Sequence, residues 1–215
     1  MTNNKNTNCI RKKDFDSQRF YNRYDFLLKN YKEGQILDIG NIGGVLGKGK
    51  SLSSYHQFKG AIPKTSALHG LDLCLPDDPE NYPNQKVGNI ENGLPYNDNF
   101  FDTIYLGEVL EHLQNPGNAL KEINRTLKAD GVLILDVPNP YSLLRIIRYV
   151  FTRHENLGDL THLIFFTPAS LRAILIGTGF EIIFLNTMLS KKFKFIPNYF
   201  IKGLGSHLMV VAKKK

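Results

Sequence analysis

An acidic residue and a glycine-rich turn stand together at 38–44, as Asp38-Ile39-Gly40-Asn41-Ile42-Gly43-Gly44. Glycines in such a turn let the backbone close on a ligand, because no Cβ intervenes. A carboxylate just before the turn would repel a pyrophosphate and would suit a positively charged amino group. A second acid, Asp72, closes a later apolar segment, where a carboxylate commonly receives ribose hydroxyls. The two acids describe a ligand with a nucleoside, an ammonium group and no phosphate. Further along, Glu108, Glu111, His112, His154 and His162 are of the types that move protons. His162 and His112 are the expected base or acceptor-contact residues, and both also suit a plain role in pinning or packing a segment.

A competing pattern lies alongside. Gly44-Val-Leu-Gly-Lys-Gly-Lys-Ser51 fits the phosphate loop of nucleotide hydrolases, and an apolar run ending in Asp136 resembles its magnesium-site partner strand. The context argues against it. The preceding strand ends near Gly40, Asp38 is misplaced for phosphates, and no helical periodicity follows Ser51. Two cysteines, Cys9 and Cys74, build neither a disulfide framework nor a zinc cluster, so a reducing compartment and no metal are expected.

The elements that must position these groups read as alternating strands and helices. Phe20, Tyr24, Leu27, Leu28 and Tyr31 recur at helical spacing, with Gly34 as the stop. Strands are predicted at 35–39, 67–72, 86–90, 101–106, 132–137, 180–185 and 207–211, and a short helix at 52–58. Asn115-Pro116 opens a helix that Gly131 would close; further helices are predicted at 141–151 and from Thr167-Pro168 to Gly179. This alternation argues an α/β fold, a Rossmann-like, doubly wound, seven-stranded sheet, mostly parallel with an antiparallel C-terminal edge. Residues 1–34 read as an N-terminal helical extension and 35–215 as the main domain, with a lid-like insertion at about 140–166.

With these residues in place, the chain resembles the class I S-adenosylmethionine-dependent methyltransferases. The likeness runs through Gly88-Asn-Ile-Glu-Asn-Gly-Leu-Pro-Tyr-Asn-Asp-Asn-Phe-Phe-Asp102, Leu106-Gly-Glu-Val-Leu-Glu-His-Leu113, Asn115-Pro116 and Leu127-Lys-Ala-Asp-Gly-Val-Leu-Ile-Leu-Asp-Val-Pro-Asn139. It implies S-adenosylmethionine as cofactor and methyl transfer to a small or carrier-linked acceptor, such as a glycan, lipid or quinone-like molecule. It implies that Asp38, Gly40 and Asn41 meet the methionine amino and carboxylate groups. Asp72 would hold the ribose and Leu73 the adenine face. Asn89 and Ile90 would border the adenine, and Leu106, Gly107 and Glu108 would floor the sulfonium. The chain departs from the family pattern at Ile42, where a glycine is usual, and at Asn89, where an aspartate is commoner. A non-catalytic interaction module and a nucleic-acid or protein methyltransferase are the alternatives.

Composition frames these expectations. The 215 residues carry a net charge of +7, with 42% hydrophobic and 22% charged residues, which excludes a disordered chain or a membrane bundle. Residues 1–144 hold 16 basic and 17 acidic side chains, and 145–215 hold 11 and 3. The basic excess therefore lies wholly in the last third, which points either to an anionic partner or to a solvated lysine face. Arg145 and Arg148 sit in a basic amphipathic segment suited to an acceptor lid or an anionic membrane surface. No aromatic array matches a basic groove, so nucleic acid is not favoured. With no apolar leader at the N-terminus, a cytoplasmic location is expected.

Overall fold

A computed structural model describes residues 15–42, 58–153, 161–189 and 195–215. The phosphate-loop pattern at 44–51 and most of the helix expected at 52–58 fall outside these residues; residues 58–61 are helical. The described elements are α1 (Arg23–Asn30), β1 (Gln35–Ile39), β2 (Ala67–Asp72), β3 (Gln85–Val87), β4 (Phe101–Gly107), α2 (Pro116–Thr126), β5 (Leu127–Pro138), α3 (Leu143–Thr152), α4 (Pro168–Gly177), β6 (Phe180–Thr187), α5 (Asn198–Ile201) and β7 (His207–Lys214). The seven strands form one sheet in the order β3-β2-β1-β4-β5-β7-β6. The first five run parallel and β7 pairs antiparallel with both β5 and β6, as expected.

Period-two alternation sorts the strand side chains into two cores. Leu37 and Ile39 of β1, Ile104 and Leu106 of β4, and Leu133, Leu135 and Val137 of β5 face one side, where α2 and α4 cover them through Leu120, Ile123, Leu171 and Leu175. Ile36, Tyr105, Val132, Ile134 and Met209 face the other, beneath Phe26 and Leu27 of α1 and Phe58. Each such leucine or isoleucine, fully removed from water, contributes about 1.5–3 kcal/mol before entropy is counted. By the same alternation Asp38, Tyr105 and Asp136 share the second face.

Several element boundaries differ from expectation, and side-chain caps explain most of them. Asn22 starts α1, its Oδ1 accepting from Asp25 N at 2.8 Å, so Phe20 belongs to an extended lead-in. Ser142 caps α3 at Leu143. β3 ends at Val87, and Ile90 enters a short turn at Ile90–Asn92 that Asn89 caps. α2 ends at Thr126 rather than near Gly131, because Leu127 already pairs with Phe101 and begins β5.

The lead-in to α1 is bound to the far edge of the sheet. Asp16 N donates to Leu185 O (2.8 Å), and Asn186 Nδ2 donates to Asp16 O (2.8 Å) and Gln18 O (2.6 Å). Phe15 and Phe20 are buried with it. Replacing Asn186 by Ala leaves two carbonyls without donors. We expect Asn186→Ala to lose about 1–3 kcal/mol in urea denaturation and to open residues 15–22 to limited proteolysis. Unchanged protection of that segment would contradict the clasp.

Candidate active site at the carboxyl edge of the sheet

The strand order reverses between β1 and β4, so their carboxyl ends diverge and leave the crevice at which doubly wound sheets bind ligands. Asp38 stands one residue before the end of β1 and is 2% exposed. Its Oδ2 is buried without a hydrogen-bond partner among the described residues. Burial, with Asp72 and Asp136 adding negative charge nearby, holds its carboxyl well above the usual carboxylate range. An uncompensated acid in this position is costly and calls for a cationic partner.

The turn after β1 is shaped around the backbone. Gly40 has φ +75°, and a Cβ there would run into Val109 Cγ2. Its N–H donates to Leu71 O at 2.8 Å. Asn41 is buried and exchanges amide bonds with Gln85, at 2.8 and 3.2 Å. Ile42 turns its side chain into the core with Phe58, Leu68 and Tyr82. Its N–H donates to Asp72 Oδ2 at 2.8 Å, and Leu73 N–H donates to Asp72 Oδ1 at 2.6 Å. Asp72 thus ties the ends of β1 and β2 together, while Leu73 is 52% exposed beside it. Gly43 and Gly44 lie outside the described residues.

On the other side of the crevice, Asn89 Oδ1 accepts from Glu91 N at 2.9 Å, and Ile90 is buried. The Leu106 side chain is wholly within the first core, so only its backbone can face a ligand. Gly107 leaves room for the Tyr105 ring, whose hydroxyl and Cζ lie where its Cβ would be. Tyr105 Oη donates to Asp136 Oδ1 at 2.9 Å. Glu108 follows with φ 52°, a left-handed conformation that a non-glycine residue holds only under constraint. Three bonds supply it: Glu108 N to Asp136 O (2.9 Å), Arg23 Nη2 to Glu108 Oε2 (2.7 Å) and His207 Nε2 to Glu108 Oε1 (2.6 Å).

Arg23, Tyr105 and His207 are residues of this cluster without a motif signal in the sequence, and Asp136 entered only through the phosphate-loop pattern argued against above. Arg23 comes from α1 and also approaches Asp136 Oδ2 at 3.4 Å. Burial alone would lower its pKa, but Asp136, Tyr105 and Glu108 outweigh that and raise it. Burial raises the Asp136 carboxyl despite Arg23 and His207. Glu108 goes the other way: burial is outweighed by the His207 bond and the Arg23 charge, and its pKa falls to about 2.

His112 and His162 come together although fifty positions separate them, their ring centroids 4.7 Å apart at 64°. Glu111, next to His112 in the chain, is 1% exposed, with neither carboxylate oxygen hydrogen-bonded among the described residues and His162 Nε2 at 3.9 Å from Oε1. Burial, with Glu108 and Asp136 adding to it, raises its pKa to about 8. His154, Lys191, Lys192 and Lys194 fall outside the described residues.

The profile of the methyltransferase-domain family matches residues 15–185. The chain belongs to that family. Among curated proteins it is 35% identical over 123 residues to the uncharacterized protein MJ0638 of Methanocaldococcus jannaschii, covering 56% of this chain and 49% of that one. It is 31% identical over 144 residues to MJ1252 of the same organism, covering 56% and 57%. The chain therefore matches about half the length of these relatives. Among solved structures, a SAM-dependent methyltransferase from Aquifex aeolicus aligns over 95% of this chain and 96% of its own, with TM-score 0.61 and 16% identity. One from Archaeoglobus fulgidus aligns over 89% and 90%, with TM-score 0.57 and 20% identity. A Burkholderia thailandensis N-methyltransferase with bound S-adenosylhomocysteine aligns over 86% and 72%, with TM-score 0.55 and 14% identity. The class I α/β methyltransferase fold is common to all.

The Glu108 cluster has a measurable pH signature. A carboxyl whose folded pKa is depressed contributes stability above its unfolded value, and that contribution is lost as pH falls through the folded value. The stability difference between wild type and Glu108→Gln should therefore be largest near neutrality and narrow from about pH 5 toward about pH 2. Urea titrations at several pH values check this; a difference independent of pH would contradict the assigned partners.

Proposed function

We propose that the chain is an S-adenosylmethionine-dependent methyltransferase acting on a small or carrier-linked acceptor. The observation that carries this reading is the buried, unpartnered Oδ2 of Asp38 at the strand crossover. The cofactor's ammonium is the cation such an oxygen needs, so the residues present fit the group. Asp38 would meet that ammonium, with the backbone of Gly40 and Asn41 beside it. Asp72 would take the ribose hydroxyls. Leu73, already exposed, would cover one face of the adenine, with Asn89 and Ile90 at its edge. The backbone of Leu106 and Gly107, with Glu108, would lie beneath the sulfonium. When bound, the cofactor supplies a methyl group on a good leaving group, displaced in line by the acceptor.

The protein's part is then alignment and exclusion of water. A base is needed only for a hydroxyl or protonated amine, and His162 and His112 are the imidazoles that would serve an acceptor on that side. Burial and its acidic neighbours raise the Asp38 carboxyl in the free protein, and an ammonium beside it would lower it again. Calorimetry with S-adenosylhomocysteine over a range of pH, in two buffers of different ionisation enthalpy, should therefore show proton release on binding. Asp38→Asn should abolish that release, and Asp72→Ala should weaken binding by about 1–3 kcal/mol. No binding at millimolar ligand would overturn the reading.

The acceptor class draws support from α3. None of its ten residues is buried, and Leu144, Tyr149 and Phe151 are 64%, 50% and 82% exposed, with Arg148 in the helix and Arg153 just after it. An apolar surface ringed by arginines suits an anionic lipid or a lipid-linked acceptor. Among the described residues no helix is long and apolar enough to cross a membrane, so the contact would be peripheral. Phe151→Ser should lower cosedimentation with vesicles containing phosphatidylglycerol on the order of several-fold, without changing S-adenosylhomocysteine affinity. Equal cosedimentation of the variant and wild type would remove α3 from lipid contact.

A further inference from the structure

Two clusters at the carboxyl edge bring an acid together with histidine. In Glu108, Asp136 and His207 a positive charge is already supplied, because Arg23 reaches both carboxylates. In Glu111, His112 and His162 it is not. Glu111 is 1% exposed and both its oxygens lack a hydrogen-bond partner. Neither protonation state repairs this: the anion lacks a donor, and the acid would carry an O–H with no acceptor. No lysine or arginine forms an ion pair with it among the described residues.

His112 beside it is held as a ligand is held. Thr161 O and Oγ1 lie 3.1 and 3.0 Å from His112 Nδ1. Donation from Nδ1–H to that carbonyl selects the tautomer whose Nε2 keeps its lone pair, the usual support of a metal-binding imidazole. Leu163 N and Ile164 N both donate to Glu111 O, at 2.9 and 3.1 Å, which fixes the His162 segment against the Glu111 turn. One donor atom from each of the three residues lies within 4.8 Å of the others. Bonds of about 2.0–2.2 Å would draw them together by side-chain rotation.

We infer that Glu111, His112 and His162 form a binding site for one divalent first-row transition-metal cation. Two imidazoles and one carboxylate suit manganese, iron or zinc better than magnesium or calcium, which prefer all-oxygen sets. Three protein ligands leave coordination positions for water. With the metal bound the two histidines are ligands, and they can serve as bases only in the metal-free protein; the site stands whether or not the chain methylates anything.

The full-length protein, stripped with chelator, is titrated with Mn2+ in the absence of cofactor. Calorimetry should show one equivalent bound, and electron spin echo modulation of the bound Mn2+ should show coupling to imidazole nitrogen. Zn2+ should displace it, following the usual order of affinities. Glu111→Gln and His162→Gln should each weaken binding on the order of tenfold or more, and His162→Gln should also lose nitrogen coupling. His207→Gln should bind as wild type does. Circular dichroism of each variant establishes that it is folded, and either ligand variant alone suffices if the other is not. No binding at millimolar Mn2+, bound Mn2+ without nitrogen coupling, or loss of binding in His207→Gln alone would overturn the site. Titration with S-adenosylhomocysteine in chelator tests the cofactor reading separately, so the two can fail independently.

Discussion

Negative charge is crowded at the carboxyl ends of the central strands, and one arginine answers for much of it. Asp38, Asp136 and Glu111 are all nearly inaccessible to water, and each is pushed toward its neutral form by burial first. Arg23 pairs with Asp136 and Glu108 but with neither Asp38 nor Glu111. Buried acids of one sign cannot all ionise in a low dielectric unless positive charge is brought to them. The crevice is therefore suited to cations, which is what the proposed ammonium beside Asp38 and the proposed metal beside Glu111 would supply.

The placement of Arg23 depends on contacts far from the crevice. Its helix is led in by residues held along β6 through Asn186, and it packs on the sheet through Phe26 and Leu27. The N-terminal helix is thus part of the same packing unit as the strands. Glu108 shows how tightly the parts are coupled. Its left-handed backbone is kept in place by bonds to three separate elements, so strain at the crevice is balanced by the fold around it.

The strands, their order of alternation and the acids at their ends were legible because their signals are local. Apolar runs mark β1, β4 and β5, and an acid at or next to the strand terminus marks Asp38 and Asp72. The helix boundaries were less so, since Asn22 and Ser142 act as caps only once their side chains turn back on the chain. Gly131 carries a stop signal by type, yet Leu127 had already been recruited into the sheet by Phe101. Arg23, His207 and the union of Glu111 with His162 were invisible because each depends on partners dozens of positions away. Tyr105 left one trace: a bulky ring two residues before a glycine on the same strand face, where only a missing Cβ lets the ring lie flat.

β7 lies between β5 and β6 rather than at the margin of the sheet, and its first residue is His207. During synthesis the arginine comes early and the histidine late. A nascent chain arrested before His207 is added would therefore hold Glu108 by the arginine and the Asp136 carbonyl alone.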